Sequence, residues 1–503
     1  MARKKVSGNS RCKRSKTNRK KTRRKHKNTV KNKHDFSAAF GWFFGTGNIF
    51  SDLRFHGNTV WQAGYLAMQA LLFSWSEKKF VTDAFSESHK RCRQLGHATT
   101  VATYQGFMRA LASSLNVLMP LMFLRLQRLM QEVGGRFWLV SGFVPLAFDG
   151  GRNDAARTVS NETEFCAANF GKGKTAKYRK KKTKGMRRTQ NEKSKPVDPR
   201  PQIWITMMWH MGLRLPWSWR MGPSNSSERA HVCEMLEQEK FPENTLFCAD
   251  AGFVGYDFWK WILDQGHDFV VRAGGNVSLL CQNIDFERRH DGTVFCWPRG
   301  KQAKQPPLRL RLVQIKVGNA EMYLLTSVLD SKRLTRKTMG ELYAMRWGIE
   351  VEFRGLKQTL KKSKLRCRNA QRLYAELSWS IMAMAVAELL ALKEQIAASE
   401  SPETSSPGTD DRSYQPRDLS LANTMRAIYE CLNNLDEVVA DDDGFHNRLR
   451  RAVTDRYVRK AKKAARYRPK NPDMKNLGNP NIRKLNLDEI KKMKQHQNHQ
   501  NAA

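Results

Sequence analysis

The chain has 503 residues, too many for one compact core and enough for roughly three or four folding units, and its 40% apolar content with 13 tryptophans supports globular packing. Its 89 Lys and Arg outnumber 47 Asp and Glu to leave a net charge of +42, a surplus that repels itself unless a polyanion is its partner. The basic N-terminus has no apolar segment behind it, which excludes a secretory signal, and the best apolar run, Ile381 to Leu392, is short and carries Glu388, which argues against a membrane span. Nine cysteines form no Cys-x-x-Cys pair and sit beside no histidine cluster, as expected of reduced thiols in a cytoplasmic protein without structural zinc.

In chain order, Met1 to His34 contain no acidic residue and include Arg19-Lys20-Lys21 and Arg23-Arg24-Lys25, so a disordered basic arm is expected. Between Phe36 and Val133 apolar residues recur every three or four positions over Trp61–Trp75, Val81–Cys92 and Thr99–Met130, which predicts helices. The stretch from Thr99 to Tyr104 is a candidate opening for a helix-turn-helix recognition helix with a Thr N-cap.

The texture changes at Arg136. Trp138–Val140 and Phe143–Phe148 read as strand, ending at Asp149-Gly150-Gly151, with Pro145 marking a bulge or a strand start. Lys172 to Arg188, including Lys180, Lys181 and Lys182, is free of acid and reads as a mobile basic loop. Strands follow at Ile203–Trp209 and Pro216–Met221, then a helix at Ser227–Glu239 with Glu228 in its first turn. Thr245–Cys248 forms a strand ending at Ala249-Asp250-Ala251-Gly252, followed by a helix at Tyr256–Leu263 and a strand at Phe269–Arg272. Strands alternating with helices imply an α/β layer covered on both faces. From Gly274 to about Glu321, short β-type runs separated by polar turns and Pro306-Pro307 indicate a mostly β insertion. A strand at Met322–Val328 returns to the main sheet, and helices are expected at Arg336–Leu360 and Arg372–Gln395. Ser399–Pro416 has the composition of a linker; a short helix at Asn423–Val438 and a tail containing Arg459-Lys460 and Lys462-Lys463 complete the chain.

Phosphodiester cleavage with magnesium needs hard oxygen ligands that hold two ions about 4 Å apart. Two aspartates at neighbouring strand ends and one acid from a packed helix can supply them, and Asp149, Asp250 and Glu350 fit those places. At about 100° per residue, Tyr343, Arg346, Glu350 and Lys357 share one arc of a helix beside the apolar stripe Leu342, Ile349, Phe353, Leu356 and Leu360, with Glu341 and Glu352 on the far side. An Asp-Gly at a strand end is also an ordinary turn, and an amphipathic helix often carries a Glu–Arg pair. The residues alone leave a structural reading open beside the catalytic one.

The spacing of Tyr343, Arg346, Glu350 and Lys357 resembles the Tyr-Arg-Glu-Lys signature of one branch of bacterial insertion-sequence DDE transposases. The words Arg346-Trp347-Gly348-Ile349-Glu350, Phe148-Asp149-Gly150 and Ala249-Asp250-Ala251-Gly252-Phe253 resemble its catalytic segments, and the likeness extends over Arg136–Gln395. It implies an RNase H-like catalytic domain at 135–273 and 322–397, interrupted by a β insertion at 274–321. A helical DNA-binding domain at 36–134 precedes it, a basic arm at 1–35 and a basic loop at 171–200 accompany it, and a linker at 398–417 leads to a helix and basic tail at 418–503. It implies two Mg²⁺ or Mn²⁺ ions, Asp149 bridging both, Asp250 holding one and Glu350 the other. It also implies hydrolysis at the element's ends, in many members through a hairpin, followed by attack of the freed 3′ hydroxyl on target DNA. Tyr343, Arg346 and Lys357 would hold phosphates of the DNA end. The partners would be double-stranded DNA, as terminal inverted repeats and target, and a second copy of the chain in a synaptic complex, in the cytoplasm with the nucleoid. Lys180, Lys181 and Lys182 fall outside the signature and read as additional DNA contacts; Trp297 is the candidate for stacking on a flipped base. Rival readings are an RNase H-like nuclease or resolvase that shares the acidic triad, a basic nucleic-acid packaging protein, and a decayed transposase copy.

Overall fold

The computed structural model describes residues 29–45, 49–53, 59, 61–97, 101–166, 200–224, 226–282, 291–297, 305–317, 320–400, 414–455 and 478–501. Most of the basic arm, the loop carrying Lys180, Lys181 and Lys182, the linker centre and the basic stretch 456–477 lie outside the described residues.

The chain opens with a short strand β1 (Thr29–Lys31) and helices α1 (Asn32–Phe44), α2 (Ala63–Trp75), α3 (Val81–Gln94) and α4 (Tyr104–Gly134). Thr103 caps α4 by accepting the Gly106 N–H at 3.1 Å. From that cap α4 runs without interruption for 31 residues, packed along the core. The Thr-capped helix opening read between Thr99 and Tyr104 is thus present at Thr103, as the start of one long helix, while Thr99 and Thr100 lie outside the described residues.

Next come β2 (Val144–Asp154), α5 (Val159–Phe165), β3 (Gln202–His210), β4 (Leu215–Gly222), α6 (Glu228–Gln238), β5 (Thr245–Ala249), α7 (Tyr256–Asp264) and β6 (Asp268–Ala273). Strands β2, β3 and β4 form an antiparallel meander, and β5 and β6 add on the other side of β2, parallel to it. The resulting order β4-β3-β2-β5-β6 is that of an RNase H-like core. Every residue of β5 is buried, as a central parallel strand covered on both faces requires. Pro145 sits at the second position of β2, before pairing with β3 begins at Leu146, so its missing N–H costs no ladder bond there.

The insertion builds no separate sheet. Its strands β7 (Ser278–Cys281), β8 (Asp291–Cys296) and β9 (Leu308–Val317) join the main sheet through the returning strand β10 (Ala320–Thr326), so that β10, β9, β8 and β7 lie in that order outward from β6, each antiparallel to its neighbour. Ten strands thus share one sheet.

Three helical pieces come after the insertion, α8 (Arg336–Met345), α9 (Gly348–Arg354) and α10 (Ala370–Glu400). Helix α10 is buried at every position from Ala375 to Leu392, with α2 and α4 from the front of the chain packed on it. Both α10 and the helix continuing α4 through Phe137 are long and apolar enough to cross a membrane by length and composition, which corrects the reading of Ile381–Leu392 as too short. The apolar window of α10 lies wholly inside the protein, whereas half of the window of α4 does.

The C-terminal part also departs from expectation. Helix α11 (Leu421–Asn433), strand β11 (Val438–Ala440) and helix α12 (Phe445–Arg450) pack against α1 and α10, and β11 pairs with β1. Residues 29–44 and 421–450 therefore close one helical body around α10. Beyond residue 477, the tail expected to be disordered contributes β12 (Asn481–Lys484), parallel to β7 at the sheet's far edge, and α13 (Leu487–Asn501). Leu485 and Met493 there pack with Leu280, Phe295 and Trp297, giving the insertion a small apolar cluster of its own.

Within the core, Glu388 of α10 faces Glu352 of α9, with Arg214 beside both. Burial, and for Glu388 the neighbouring carboxyl, raise both proton affinities: Glu352 to about 7 and Glu388 well above the usual range. The unfolded chain releases these protons near pH 4.5, so the folded state binds more protons than the unfolded state above that pH. Stability is accordingly lost as pH rises from about 5 toward 7 and beyond. Glu388→Gln should remove much of that loss: between pH 5 and pH 8 its stability should fall by less than the parent's, by on the order of 1 kcal/mol or more. Denaturant melts at the two pH values measure this, and parallel losses in parent and variant would refute it.

Candidate active site

The site begins with the register of two strands. Parallel strands β2 and β5 pair Val144 with Thr245 through Ala147 with Cys248, so two residues further along, Asp149 and Asp250 come out side by side. Asp149 is not at the end of its strand, as the sequence suggested: β2 continues to Asp154 because β3 still pairs with it, from Leu146 and His210 to Asp154 and Gln202. Only the β5 side ends there, and that one-sided ending opens the sheet at the two aspartates. Asp149 Oδ1 accepts the Gly150 N–H at 2.8 Å, and Asp250 Oδ1 accepts the Gly252 N–H at 2.8 Å.

The third acid comes from a helix that is broken, whereas the spacing predicted a continuous one from Arg336 to Leu360. Helix α8 ends at Met345, Arg346 and Trp347 form a turn, α9 restarts at Gly348, and a π-helical turn spans Gly355–Thr359. Gly348 lies against the buried ring of Trp209: a Cβ there would stand 2.1 Å from it. At Gly151 on β2 a Cβ would meet the ring of Phe353 at 3.3 Å. Two glycines, one on the helix and one on the sheet, thus let α9 sit close to β2 and β3 and carry Glu350 to the aspartates.

Arg346 is 5% exposed, and its Nη1 donates to Asp149 Oδ2 at 3.2 Å. Its guanidinium carbon lies 5.4 Å from the ring centre of Tyr343 and 5.6 Å from that of Trp347. Tyr343 is itself only 4% exposed, backing Arg346 from the core side. Lys357 is half-buried in the π turn, near Asp154 at the end of β2. The structure therefore groups Asp149, Asp250, Glu350, Arg346 and Tyr343 and leaves Lys357 further along the strand. Glu352, read from the sequence as a bystander facing away, points into the core at Glu388, because the two-residue step from Glu350 turns it through the helix onto Trp209's side. Trp297, the stacking candidate, is 9% exposed; its Nε1 donates to the Gln305 carbonyl at 3.0 Å within the insertion. The large aromatic exposed beside the acids is Trp347, at 55%.

Asp149 is the electrostatic hub. Burial, and then the charge of Asp250, raise its proton affinity, while the Gly150 N–H and Arg346 oppose that rise. Glu350 is raised by burial and by Asp149, against Arg346 and Arg354. A further acid, Glu228 at the start of α6, is raised to about 7 by burial and by Asp149 and Asp250. The sequence singled it out only as a first-turn acid, since nothing local places α6 over β2. Among the described residues no three acidic, histidine or cysteine side chains stand close enough to enclose a metal ion as they are. The chemistry of the donors nevertheless fits one: they are carboxylate oxygens that repel each other around one buried arginine, and hard divalent cations select oxygen ligands.

The sequence profile of the transposase DDE domain matches residues 182–386, a stretch that holds Asp250 and Glu350 and starts after Asp149. Transposase InsG for insertion sequence element IS4 of Escherichia coli (strain K12) is 34% identical over 192 residues, 36% of this chain and 42% of that protein. Residues 182–386 thus match the transposase DDE domain, and part of the chain is similar to a transposase of a bacterial insertion sequence. A second relative, from Sinorhizobium fredii (strain NBRC 101917 / NGR234), is 25% identical over 156 residues, 29% of this chain and 43% of that protein. The chain thus spans less than half the length of either curated relative. A piggyBac transposase synaptic complex with hairpin DNA, solved by cryo-electron microscopy, aligns with 78% of this chain and 90% of its own at 13% identity and a TM-score of 0.34.

The position of Glu350 should depend on the Gly348 contact. Gly348→Ala forces a methyl group into the Trp209 ring, so it should destabilise the fold by about 1–3 kcal/mol. It should also move Glu350 enough to slow DNA cleavage about 100-fold in the protein that remains folded. A cleavage assay run well below the variant's melting temperature checks this; parent-like cleavage would show that α9 is not held by this contact.

Proposed function

We propose that the chain cuts DNA at the ends of an insertion sequence by metal-dependent phosphodiester hydrolysis and joins the 3′ ends to target DNA. The observation that carries the reading is the convergence of Asp149 and Asp250, from adjacent parallel strands, with Glu350 from a helix seated on the same sheet. These three residues are the ones that would hold two Mg²⁺ or Mn²⁺ ions. Bound there, the ions stabilise charge on the attacking and leaving oxygens of an in-line displacement.

The chain's own residues do the rest. Arg346 keeps Asp149 oriented and ionised, its Nη1 donating to Asp149 Oδ2. Tyr343 stiffens Arg346 from behind. Lys357, near the end of β2, is placed to grip the DNA further from the acids. No covalent intermediate with protein is needed, because water and then a DNA 3′ hydroxyl act as nucleophile. The Tyr-Arg-Glu-Lys set supports assignment to the branch that bears that signature. In this reading the net charge of +42 supplies sequence-independent affinity for DNA, with Lys180, Lys181 and Lys182 among its contacts. Two copies of the chain would pair the element's two ends in the cytoplasm, at the nucleoid.

Asp149→Asn, Asp250→Asn and Glu350→Gln should each abolish cleavage of an element end while leaving DNA binding in place, since each removes a ligand charge and leaves volume and basic surface alone. On pre-cut ends with a supercoiled target, Lys357→Ala should lower joined product about ten- to a hundredfold, as expected for loss of a charge-assisted phosphate contact of roughly 1.5–3 kcal/mol, with nicking less affected. Arg346→Ala should lower both steps, because it also releases Asp149. If the parent yields nicked but never joined DNA with either metal, the chain is a nuclease and the joining half of the proposal is wrong.

A further inference from the structure

We infer that Glu228 is a fourth carboxylate of the metal site, presented to Asp149 and Asp250 from the first turn of α6. The inference rests on the metal-dependent reading above and deepens it. Glu228 opens α6, whose cap is Ser227, with Oγ accepting the Ala230 N–H at 3.3 Å. The side chain runs over Gly150, the residue next to Asp149. A Cβ on Gly150 would stand 2.3 Å from Glu228 Oε1 and 2.7 Å from its Cγ and Cδ. Any other residue at position 150 would occupy the space the carboxylate now takes, so the glycine is what admits it to the acids.

An acid in the first turn of a helix is ordinarily explained by the helix dipole. The dipole accounts for the charge at position 228 but not for its lying across the sheet toward two other carboxylates. Among the described residues no donor bonds to the Glu228 carboxylate and no cation pairs with it; Arg152 is the positive charge that acts on it. The same helix shows what a paired acid looks like here: Glu234 meets Arg220 at 3.1 Å. Glu228 is thus half-buried, without a bonded partner among the described residues, and acted on by Asp149 and Asp250 against Arg152 alone, an arrangement that disfavours the metal-free protein and that a divalent cation would relieve. Asp149, Asp250, Glu350 and Glu228 together offer oxygens from four separate elements, β2, the end of β5, α9 and α6.

The test is Mn²⁺ binding by the full-length protein, read as loss of the free-ion electron paramagnetic resonance signal, for the parent and for Asp149→Asn, Glu228→Gln, Gly150→Ala and Glu234→Gln. Asp149→Asn should lose Mn²⁺ binding. Glu228→Gln should weaken the affinity of at least one ion by about 10- to 100-fold, the range for losing an outer partner of a metal site or more. Gly150→Ala, which keeps the charge and displaces it, should weaken binding in the same direction and decides the matter if Glu228→Gln does not fold. Glu234→Gln should bind as the parent does. The metal-free melting temperature of Glu228→Gln at pH 8 should equal or exceed the parent's, because repulsion is relieved. Parent-like Mn²⁺ binding by Glu228→Gln and Gly150→Ala, with a lowered melting temperature for Glu228→Gln, would make Glu228 a helix-dipole residue and overturn the inference. Parent-like binding by Asp149→Asn would instead overturn the metal reading beneath it.

Discussion

The site depends on how closely α9 approaches the sheet. Helix and sheet normally pack with side chains between them, at about 10 Å between layers. Here Gly348 faces Trp209 and Gly151 faces Phe353, so each glycine receives a ring from the opposite element. The helix is broken just before this contact, at Arg346-Trp347, and loosened just after it, in the π turn at Gly355–Thr359. The break turns Arg346 inward onto Asp149 and leaves Glu350 one turn later on the same side. A continuous helix would have to choose between seating its apolar stripe and delivering both groups.

The second constraint is charge. Burial and neighbouring carboxylates raise the proton affinity of Asp149, Glu350 and Glu228, and at Asp149 and Glu350 one buried arginine opposes the rise. Such a cluster is unfavourable in isolation and is the kind of arrangement that accumulates at functional sites. Behind it, on the core side of α9, Glu352 and Glu388 share protons beside Arg214 and keep their charge away from the catalytic face. Two acids two residues apart on one short helix thus have opposite tasks, set by which face of α9 each occupies.

Much of this was legible in the sequence because it is local. Apolar periodicity located β2 through β6 and, of the helices between them, α6 and α7 but not α5, and it placed Asp250 at the end of β5, whereas Asp149 lies within β2. The features that stayed hidden arise from pairing across long separations. The break at Arg346-Trp347 stands just before Gly348 meets Trp209 of a distant strand, so helical spacing alone predicted a straight helix and put Lys357 on the same arc as Glu350. Glu228 reads as an ordinary first-turn acid until the meander β2-β3-β4 folds α6 back over Gly150. Glu352 read only as lying on the far side of the helix because the stripe of Ile349 and Phe353 is part of the buried surface; α10 brings Glu388 against it. The tail at 478–501 has too few apolar residues to fold alone, and Leu485 and Met493 find their partners only on the insertion.

If β2, the end of β5 and α9 build one metal site, the three should be cut together by a single reactive ion. Fe²⁺ bound in place of Mg²⁺, with ascorbate and peroxide, generates hydroxyl radicals that cut the nearest backbone, and mass spectrometry of the fragments locates the cuts. Cleavage is predicted at three separated stretches, around Asp149–Gly151, Asp250–Gly252 and Gly348–Glu350, all suppressed together by excess Mg²⁺ and all lost in Asp149→Asn. Cuts confined to one of these stretches, or centred elsewhere in the chain, would contradict a shared site.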